Sequence, residues 1–273
     1  MKLQKNLLVL LVISFLPMHA FTDILDDFPE TERFRVATGA TVLLPLQLNS
    51  YKQLTLLGSA DLESVNMMIA NEDLIAIPQS YAPDRVSVAI FFINYLETSI
   101  GAYQEIITAI EVEEAPLPGA EPARGYYVLD IQVTNRFSRR VGRDVWGLPK
   151  TLANISLQEN GEGDLIANVA NRFSSASTVA ALCSGCAYLP QFPDAQNFLA
   201  VSPYKLRRTW YRIMTEAQAS FRPYDAMEDQ FTLNTNSKLG RKLTNIYFSP
   251  EAWLVGHEVK GLTFKSNAPL TPY

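Results

Sequence analysis

The chain has 273 residues, and its hydrophobic content of 48% is enough to bury the core of one large domain or two small ones. Its 23 basic and 28 acidic residues give a net charge of −5, and no basic run exceeds a pair such as Arg139-Arg140. Nucleic-acid binding depends on a basic stripe that follows the phosphates, so we expect none here. With only His19 and His257 present, a three-histidine metal site is excluded, and we expect no metal.

The first twenty residues have the layout of a secretory signal peptide. Lys2 and Lys5 precede an apolar run over residues 7–16, and Ala20 offers a small residue for cleavage. The run is too short for a membrane-spanning helix, which needs about 20 apolar residues. We therefore expect residues 1–20 to be removed and the protein to be exported, periplasmic or secreted, without a stable membrane span. Because Met18 is large for its place before the cut, an uncleaved anchor is the alternative.

Two cysteines, Cys183 and Cys186, lie in the string Cys-Ser-Gly-Cys. In an oxidising compartment they are expected to pair as a structural disulfide. A labile disulfide or a redox or metal site is the alternative that this spacing leaves open.

The predicted elements begin with an irregular lead-in over residues 21–50, which packs on a single domain over residues 51–273. A short strand is predicted over 54–57, followed by a short helix capped by Ser59. Strands over 85–96, 103–112 and 125–133 follow, and the first has apolar residues on both of its faces. Arg136 to Val145 has helical composition, and Gly147 and Pro149 end the helix.

The second half of the chain is predicted to be rich in strands. Residues 153–158 and 165–169 flank a hairpin turn over 159–163, and further strands are expected near 177–182, 209–215 and on both sides of Pro250. Many strands, few short helices and no repeat indicate an α+β, mostly β fold: an antiparallel sheet curled on itself or closed into a barrel or cone.

Residues 141–150, Val-Gly-Arg-Asp-Val-Trp-Gly-Leu-Pro-Lys, are the most informative segment. Lys150 follows Trp146, Leu148 and Pro149, so its amine stands at the end of an apolar, rigid approach. Burial favours the uncharged form of an amine. A neutral amine adds to carbonyl carbon and forms an imine, which is an electron sink. From the residues alone, a solvated lysine is the alternative.

This segment resembles the acetoacetate decarboxylase family. The string Gly142-Arg143-Asp144-x-x-Gly147-x-Pro149-Lys150 is similar to the family segment that carries the imine-forming lysine. Tyr103-Gln104-Glu105 resembles the family's Tyr-x-Glu, and a looser likeness lies in residues 248–250 and 257–259. The resemblance covers about residues 54–264. It implies a closed antiparallel barrel or cone with the lysine in its cavity, self-association into a homo-oligomer, and no cofactor, in a divergent exported member.

The resemblance also implies roles for individual residues. Lys150 would be the imine nucleophile and Glu105 the proton shuttle. Tyr103 and Trp146 would support the site or the substrate. Arg143 would either supply a nearby cation or pair with a carboxylate and brace the loop.

Two functions remain open at this point. The first is a lyase that acts on a β-keto acid or related carbonyl compound by decarboxylation, retro-aldol cleavage or dehydration. The second is a non-catalytic exported protein that binds a small hydrophobic ligand in the same cavity. Pro149-Lys150 and Tyr103-x-Glu105 favour the lyase. Thr151, where the family has a second lysine, and Gly58-Ser59-Ala60, where it has an arginine, favour the binding protein.

Overall fold

The computed structural model describes residues 32–115, 122, 124–173, 176–189, 198–206 and 209–265. The predicted signal peptide and the first part of the lead-in, up to residue 31, lie outside these residues. Of the helices within them, none is both long enough and apolar enough to cross a membrane.

The described residues form three helices, fifteen strands and one 3-10 turn. The helices are α1 (Leu62–Ile69), α2 (Arg136–Trp146) and α3 (Lys238–Asn245). The first eight strands are β1 (Glu32–Arg35), β2 (Thr41–Leu44), β3 (Leu46–Asp61), β4 (Leu74–Ala76), β5 (Pro78–Gln79), β6 (Ala82–Thr98), β7 (Tyr103–Glu114) and β8 (Arg124–Val133). The remaining elements are β9 (Thr151–Glu159), β10 (Leu165–Asn171), β11 (Ser177–Cys183), the 3-10 turn (Cys186–Tyr188), β12 (Phe198–Leu206), β13 (Thr209–Pro223), β14 (Gln230–Leu233) and β15 (Ser249–Lys265).

Most strands belong to one large sheet that curls back on itself at β8. Its order is β14-β11-β10-β9-β8-β12-β13-β15-β3-β6-β7-β4, with β5 on β6 and a further pairing between β8 and β7. The β7–β8 pairing is long, from Glu105↔Val133 to Glu113↔Arg124. The β8–β12 pairing has only Tyr204↔Tyr126 and Lys205↔Tyr127. The predicted mostly β fold is thus confirmed, as a curled sheet rather than a closed barrel.

Helix α2 places the segment that carries Lys150. It links β8 to β9, which run parallel and pair through Gln132↔Thr151 and Val133↔Leu152. A parallel pair requires the chain to return to the same end of the sheet, and the helix makes that crossover. The β8–β9 and β8–β12 pairs are parallel exceptions in the predicted antiparallel sheet, and the first of them brings residue 150 beside the end of β8.

The expectation of an irregular lead-in is wrong for residues 32–50. They form β1, β2 and the start of β3, in which Leu46 and Leu48 are buried while Gln47 between them is less buried. Strand β3 pairs with β15 and β6, whose residues are far away in the sequence. The local composition around Pro45 gave no sign of these distant partners.

The end of the chain also differs from the prediction of two short strands around Pro250. Residues 238–245 form α3, whose N-cap Ser237 accepts a hydrogen bond from the Gly240 amide (2.9 Å). A single long strand, β15, then follows, and its register shifts just after Pro250. In α1, Asp61 and not Ser59 is the N-cap, and it accepts from the Ser64 amide at 2.8 Å.

Two apolar clusters cover the two faces of the sheet. Ile106 and Ile110 of β7 belong to one cluster, and Ile107 belongs to the other. This follows from the alternation of side chains along a strand. The second cluster also contains Val141 and Trp146 of α2, so this helix covers the face on which Glu105 lies.

Candidate functional site

The end of α2 turns the chain sharply and aims Lys150 inward. Gly147 has a φ of 69°, in the left-handed region that suits glycine after a helix. The Gly147 and Leu148 amides donate to the carbonyls of Arg143 (3.1 Å) and Gly142 (3.0 Å). Lys150 lies two residues after Leu148 and is 6% exposed.

Gly142 makes room for the lysine side chain. A Cβ at this position would lie 2.5 Å from both Cδ and Cε of Lys150, closer than a Cβ comes to an atom outside its own bonded neighbours. The aliphatic stem of Lys150 therefore crosses α2 where the helix has no side chain. This gives a physical reason for the glycine in the segment.

Arg139 holds the backbone of the lysine. Its Nε donates a hydrogen bond of 3.3 Å to the Lys150 carbonyl. Sequence reasoning missed this residue and assigned the supporting role to Arg143. The helical period was the available signal, since residue 139 lies near the inward side of the helix and residue 143 does not.

Lys150 meets Glu105 in a buried ion pair. Its Nζ lies 2.5 Å from Glu105 Oε1, and the two side chains are 7% and 3% exposed. Among the described residues, Oε1 has no hydrogen-bond partner of acceptable angle, so the contact is a close charge pair rather than an aligned hydrogen bond. The Lys150 amine and the Glu105 carboxyl are thus in direct contact inside the protein, and loss of either partner would leave the other buried without its counterpart.

The pair faces a small, largely apolar cavity. The centre of a water molecule can occupy about 30 Å³ of it. Since about 10–15 Å³ of such volume holds one water, there is room for more than one water or for a small organic molecule. The lining residues are Leu46, Leu48, Tyr95, Ile100, Tyr103, Glu105, Ile107, Ile131, Ser138, Val141, Trp146, Leu148, Lys150, Ile213 and Thr263. The structure thus brings together Lys150, Glu105, Tyr103 and Trp146.

A cluster of three buried tyrosines lies against the amine. The Tyr103 ring centroid is 5.8 Å from Lys150 Nζ. The Tyr103 and Tyr95 rings are 4.5 Å apart, and the Tyr95 and Tyr51 rings 5.2 Å apart. Burial, followed by the Glu105 carboxylate, raises the pKa of Tyr103 well above its usual range, and a hydrogen bond with Tyr95 lowers it by less. Tyr103 therefore stays a protonated hydrogen-bond donor at all moderate pH values.

The prediction that Arg143 supports the site is wrong. Arg143 is exposed and does not line the cavity, because the inward residues of α2 are Ser138, Val141, Gly142, Val145 and Trp146. Its neighbour Asp144 instead accepts a hydrogen bond from the Ala37 amide (2.8 Å) and lies 3.7 Å from Arg140. Thr151 is also exposed, so the side chain at that position does not face the cavity.

The remaining candidate residues lie elsewhere. His257 Nε2 is 2.9 Å from Ser220 Oγ. Cys183 and Cys186 are joined as a disulfide, are fully buried and do not line the cavity. Within the part of the chain that the structure describes, no group of three or more histidine, cysteine or acidic side chains could hold a metal ion.

Comparison with known proteins identifies relatives of this fold. Residues 76–175, which include Glu105 and Lys150, match the family model for acetoacetate decarboxylase. A solved acetoacetate decarboxylase structure is 15% identical, with a TM-score of 0.54 over 82% of this chain and 89% of that chain. Acetoacetate decarboxylase from Legionella pneumophila subsp. pneumophila str. Philadelphia 1 is 14% identical, with a TM-score of 0.55 over 94% of this chain and 99% of that chain. No curated protein sequence matches the chain. The family resemblance predicted from the sequence is confirmed, whereas identities this low show the fold alone.

Proposed function

We propose that this chain, whose residues 76–175 match the acetoacetate decarboxylase family model and whose fold is similar to that of acetoacetate decarboxylase, is a lyase that joins Lys150 to a small carbonyl substrate as an imine. The observation that carries the proposal is the buried Lys150–Glu105 pair at the wall of a cavity. An amine without water around it and beside a proton acceptor is suited to nucleophilic attack on carbonyl carbon.

The chemistry begins with a proton transfer within the pair. The Lys150 ammonium gives one proton to the Glu105 carboxylate, which leaves a neutral amine and a neutral acid. The amine adds to the carbonyl carbon, and Glu105 relays protons until the carbonyl oxygen leaves as water. The product is a protonated imine beside a Glu105 carboxylate, with the same total charge as the starting pair.

The imine then withdraws electrons from the neighbouring carbon atoms. From a β-keto acid it would accept the electron pair released with carbon dioxide, and from a β-hydroxy ketone the pair released by retro-aldol cleavage. Loss of water from a β-hydroxy compound uses the same intermediate. Glu105 would return a proton at the end of each reaction, and its distance of 2.5 Å from Nζ supports this role.

The alternative is a non-catalytic protein that holds a small hydrophobic ligand. The apolar side chains of the lining, such as Leu48, Ile107 and Leu148, favour it. In that function the amine of Lys150 would form no covalent bond with the ligand.

Reductive trapping separates the two functions. The protein is incubated with borohydride and a panel of small ketones and β-keto acids, and the modified residue is mapped by mass spectrometry. We expect an adduct on Lys150, none in Lys150→Met, and an unchanged adduct in Lys242→Gln, a half-buried lysine that does not line the cavity. If no member of the panel gives an adduct on Lys150, the lyase proposal fails.

We also propose that residues 1–20 direct export and that the mature chain self-associates. N-terminal sequencing of the exported protein, with Phe21 expected first, tests the cleavage near Ala20. Light scattering tests the homo-oligomer, and a monomer at all concentrations would contradict it.

A further inference from the structure

The carbonyl oxygen of the substrate needs a partner of its own. When the Lys150 amine adds to the carbon, the oxygen gains negative charge inside an apolar cavity. A hydrogen-bond donor placed at that oxygen stabilises the transition state more than the ground state. Glu105, 2.5 Å from Nζ, has to exchange protons with the nitrogen and the oxygen in turn, so a separate donor is needed to stabilise the oxygen while the C–N bond forms.

Among the described residues that line the cavity, four carry a hydroxyl group: Tyr95, Tyr103, Ser138 and Thr263. Ser138 is committed, since its Oγ donates to the Asn135 carbonyl at 3.3 Å. Tyr103 is the tyrosine whose ring lies against the amine, with its centroid 5.8 Å from Nζ. Because it precedes Glu105 by two residues on β7, both side chains point to the same face of the sheet.

Tyr95 is placed to orient the Tyr103 hydroxyl. The two residues are directly opposite in the β6–β7 pairing, their rings are 4.5 Å apart, and both are buried. A hydrogen bond between these side chains lowers the pKa of Tyr103, as expected when Tyr95 donates to the Tyr103 oxygen. The Tyr103 proton is then left for another acceptor.

We propose that the Tyr103 hydroxyl donates a hydrogen bond to the substrate carbonyl oxygen as Lys150 attacks, and that Tyr95 positions this hydroxyl. The inference rests on the proposed imine function. Tyr103 is thus a catalytic residue that touches the substrate, and Tyr95 is a positioning residue that acts through it.

The proton and electron balance is complete without a further reactant. The Nζ lone pair forms the C–N bond, and the electron pair of the C=O double bond moves to the oxygen, which Tyr103 stabilises. The oxygen takes a proton from Glu105, and Glu105 takes one from the nitrogen. A second transfer from Glu105 releases water and leaves the protonated imine. Tyr103 keeps its proton throughout, as its raised pKa allows.

The test is the rate of reductive trapping in three phenylalanine variants. Removal of one oxyanion donor lowers rates by about 100-fold or more, so we expect a loss of this size in Tyr103→Phe. Its half-saturating ketone concentration should change little. The trapping rate of Tyr95→Phe should fall by a smaller factor than that of Tyr103→Phe. Tyr126→Phe is the matched control: Tyr126 is partly buried, with its pKa raised to about 12 by burial, but does not line the cavity. It should trap at the wild-type rate.

The outcomes distinguish this inference from the proposed function. If the wild type gives no Lys150 adduct, both fail. If the wild type is trapped and Tyr103→Phe is trapped at the same rate, the inference is overturned and the lyase proposal stands. A loss in Thr263→Val but not in Tyr103→Phe overturns it too.

A second measurement excludes a purely structural role for Tyr103. Incorporation of 3-fluorotyrosine at position 103 keeps the hydroxyl and the ring but makes the phenol more acidic. We expect trapping at moderate pH to be at least as fast as in the wild type, because a more acidic phenol is a stronger hydrogen-bond donor and the raised pKa of Tyr103 keeps it protonated. A loss of trapping as large as that expected for Tyr103→Phe would overturn the inference, even where Tyr103→Phe folds poorly.

Discussion

Two buried ion pairs in this molecule show opposite uses of the same interaction. Lys150 and Glu105 meet at the cavity, and Arg222 and Asp229 meet beside the disulfide loop. Both carboxylates are almost fully buried, at 3% and 0% side-chain exposure. The pairs differ in what else their atoms contact.

The Arg222–Asp229 pair is saturated with hydrogen bonds. Arg222 also donates to the carbonyls of Ser184 (3.1 Å) and Pro223 (3.2 Å), and its Nε lies 3.4 Å from Cys186 Sγ. Asp229 accepts from the amides of Ser184 (3.0 Å) and Asp225 (2.8 Å). A guanidinium does not lose its proton in proteins, so this pair is suited to holding two loops together.

Among the described residues, the Lys150–Glu105 pair is unsaturated, since Glu105 Oε1 has no hydrogen-bond partner, and it borders the cavity. An amine can give up its proton where a guanidinium cannot, and the cavity leaves room for a molecule that would use it. The comparison teaches that burial of an ion pair does not by itself indicate function. A functional site is indicated when the pair has a donor that can lose its proton, lacks some of its hydrogen bonds and borders a cavity.

Loss of one partner from the saturated pair should have the largest effect on stability. Asp229→Ala leaves the Arg222 guanidinium and two amides without their acceptor, and removal of one buried partner costs about 3–5 kcal/mol. Urea denaturation would measure the loss, with the exposed neighbour Glu228→Ala as the control expected to change little. Trapping at Lys150 under native conditions should persist. A loss below about 1 kcal/mol would remove the distinction between the two pairs.

Simultaneous removal of both partners should distinguish the pairs more sharply. Lys150→Met with Glu105→Leu replaces an unsaturated pair by apolar side chains, a change that is often neutral or stabilising by about 1–4 kcal/mol. Trapping should vanish. The matched double variant Arg222→Met with Asp229→Leu should be destabilised, because the Ser184 and Asp225 amides lose their acceptor. Equal effects on unfolding would contradict the comparison.

Gly142→Ala should reverse the usual sign of a glycine substitution in a helix. Alanine normally stabilises a helix interior by about 0.5–1 kcal/mol relative to glycine. Here the new Cβ would collide with Lys150 Cδ and Cε, and overpacking costs about 1–3 kcal/mol. Thermal unfolding should show the loss, and trapping should slow as Lys150 is displaced. Gly161→Ala, where a Cβ meets nothing within 4 Å, is the control. A stabilised Gly142→Ala with normal trapping would refute this placement of the lysine.

The smallest expected effect is that of Arg139→Met. It removes one hydrogen bond to the Lys150 carbonyl, which is worth about 1 kcal/mol. If all of this appears in the barrier, trapping slows by about fivefold. Arg143→Met, on the exposed side of the same helix, should leave the rate unchanged. If Arg143→Met slows trapping and Arg139→Met does not, the supporting role predicted for Arg143 from the sequence would be restored.

The sequence predicted those parts of the site that depend on local pattern. Lys150 and Glu105 lie in short strings whose residue types suggest their chemistry, and β6, β7 and β8 have the strand signal of β-branched and aromatic residues. Helix α2 was predicted because its composition and its Gly147 stop are local. Arg139 was missed although the period of the helix could have found it.

Features that depend on distant pairing were not predictable from one sequence. Nothing in residues 41–48 indicates that β3 pairs with β15, and nothing local indicates that β8 has parallel neighbours. Tyr95 became a candidate only when the β6–β7 register placed it opposite Tyr103. Helix α3 was hidden because Gly240 and Thr244 lower its intrinsic helix propensity.

The cavity wall is drawn from Leu46 near one end of the described chain to Thr263 near the other. Contacts this far apart in sequence form late and slowly. A chain synthesised only as far as β9 already contains Lys150 and Glu105, but it lacks β13 and β15, which supply Ile213 and Thr263 of the wall. The cavity around the amine is therefore complete only when these two strands have joined the sheet.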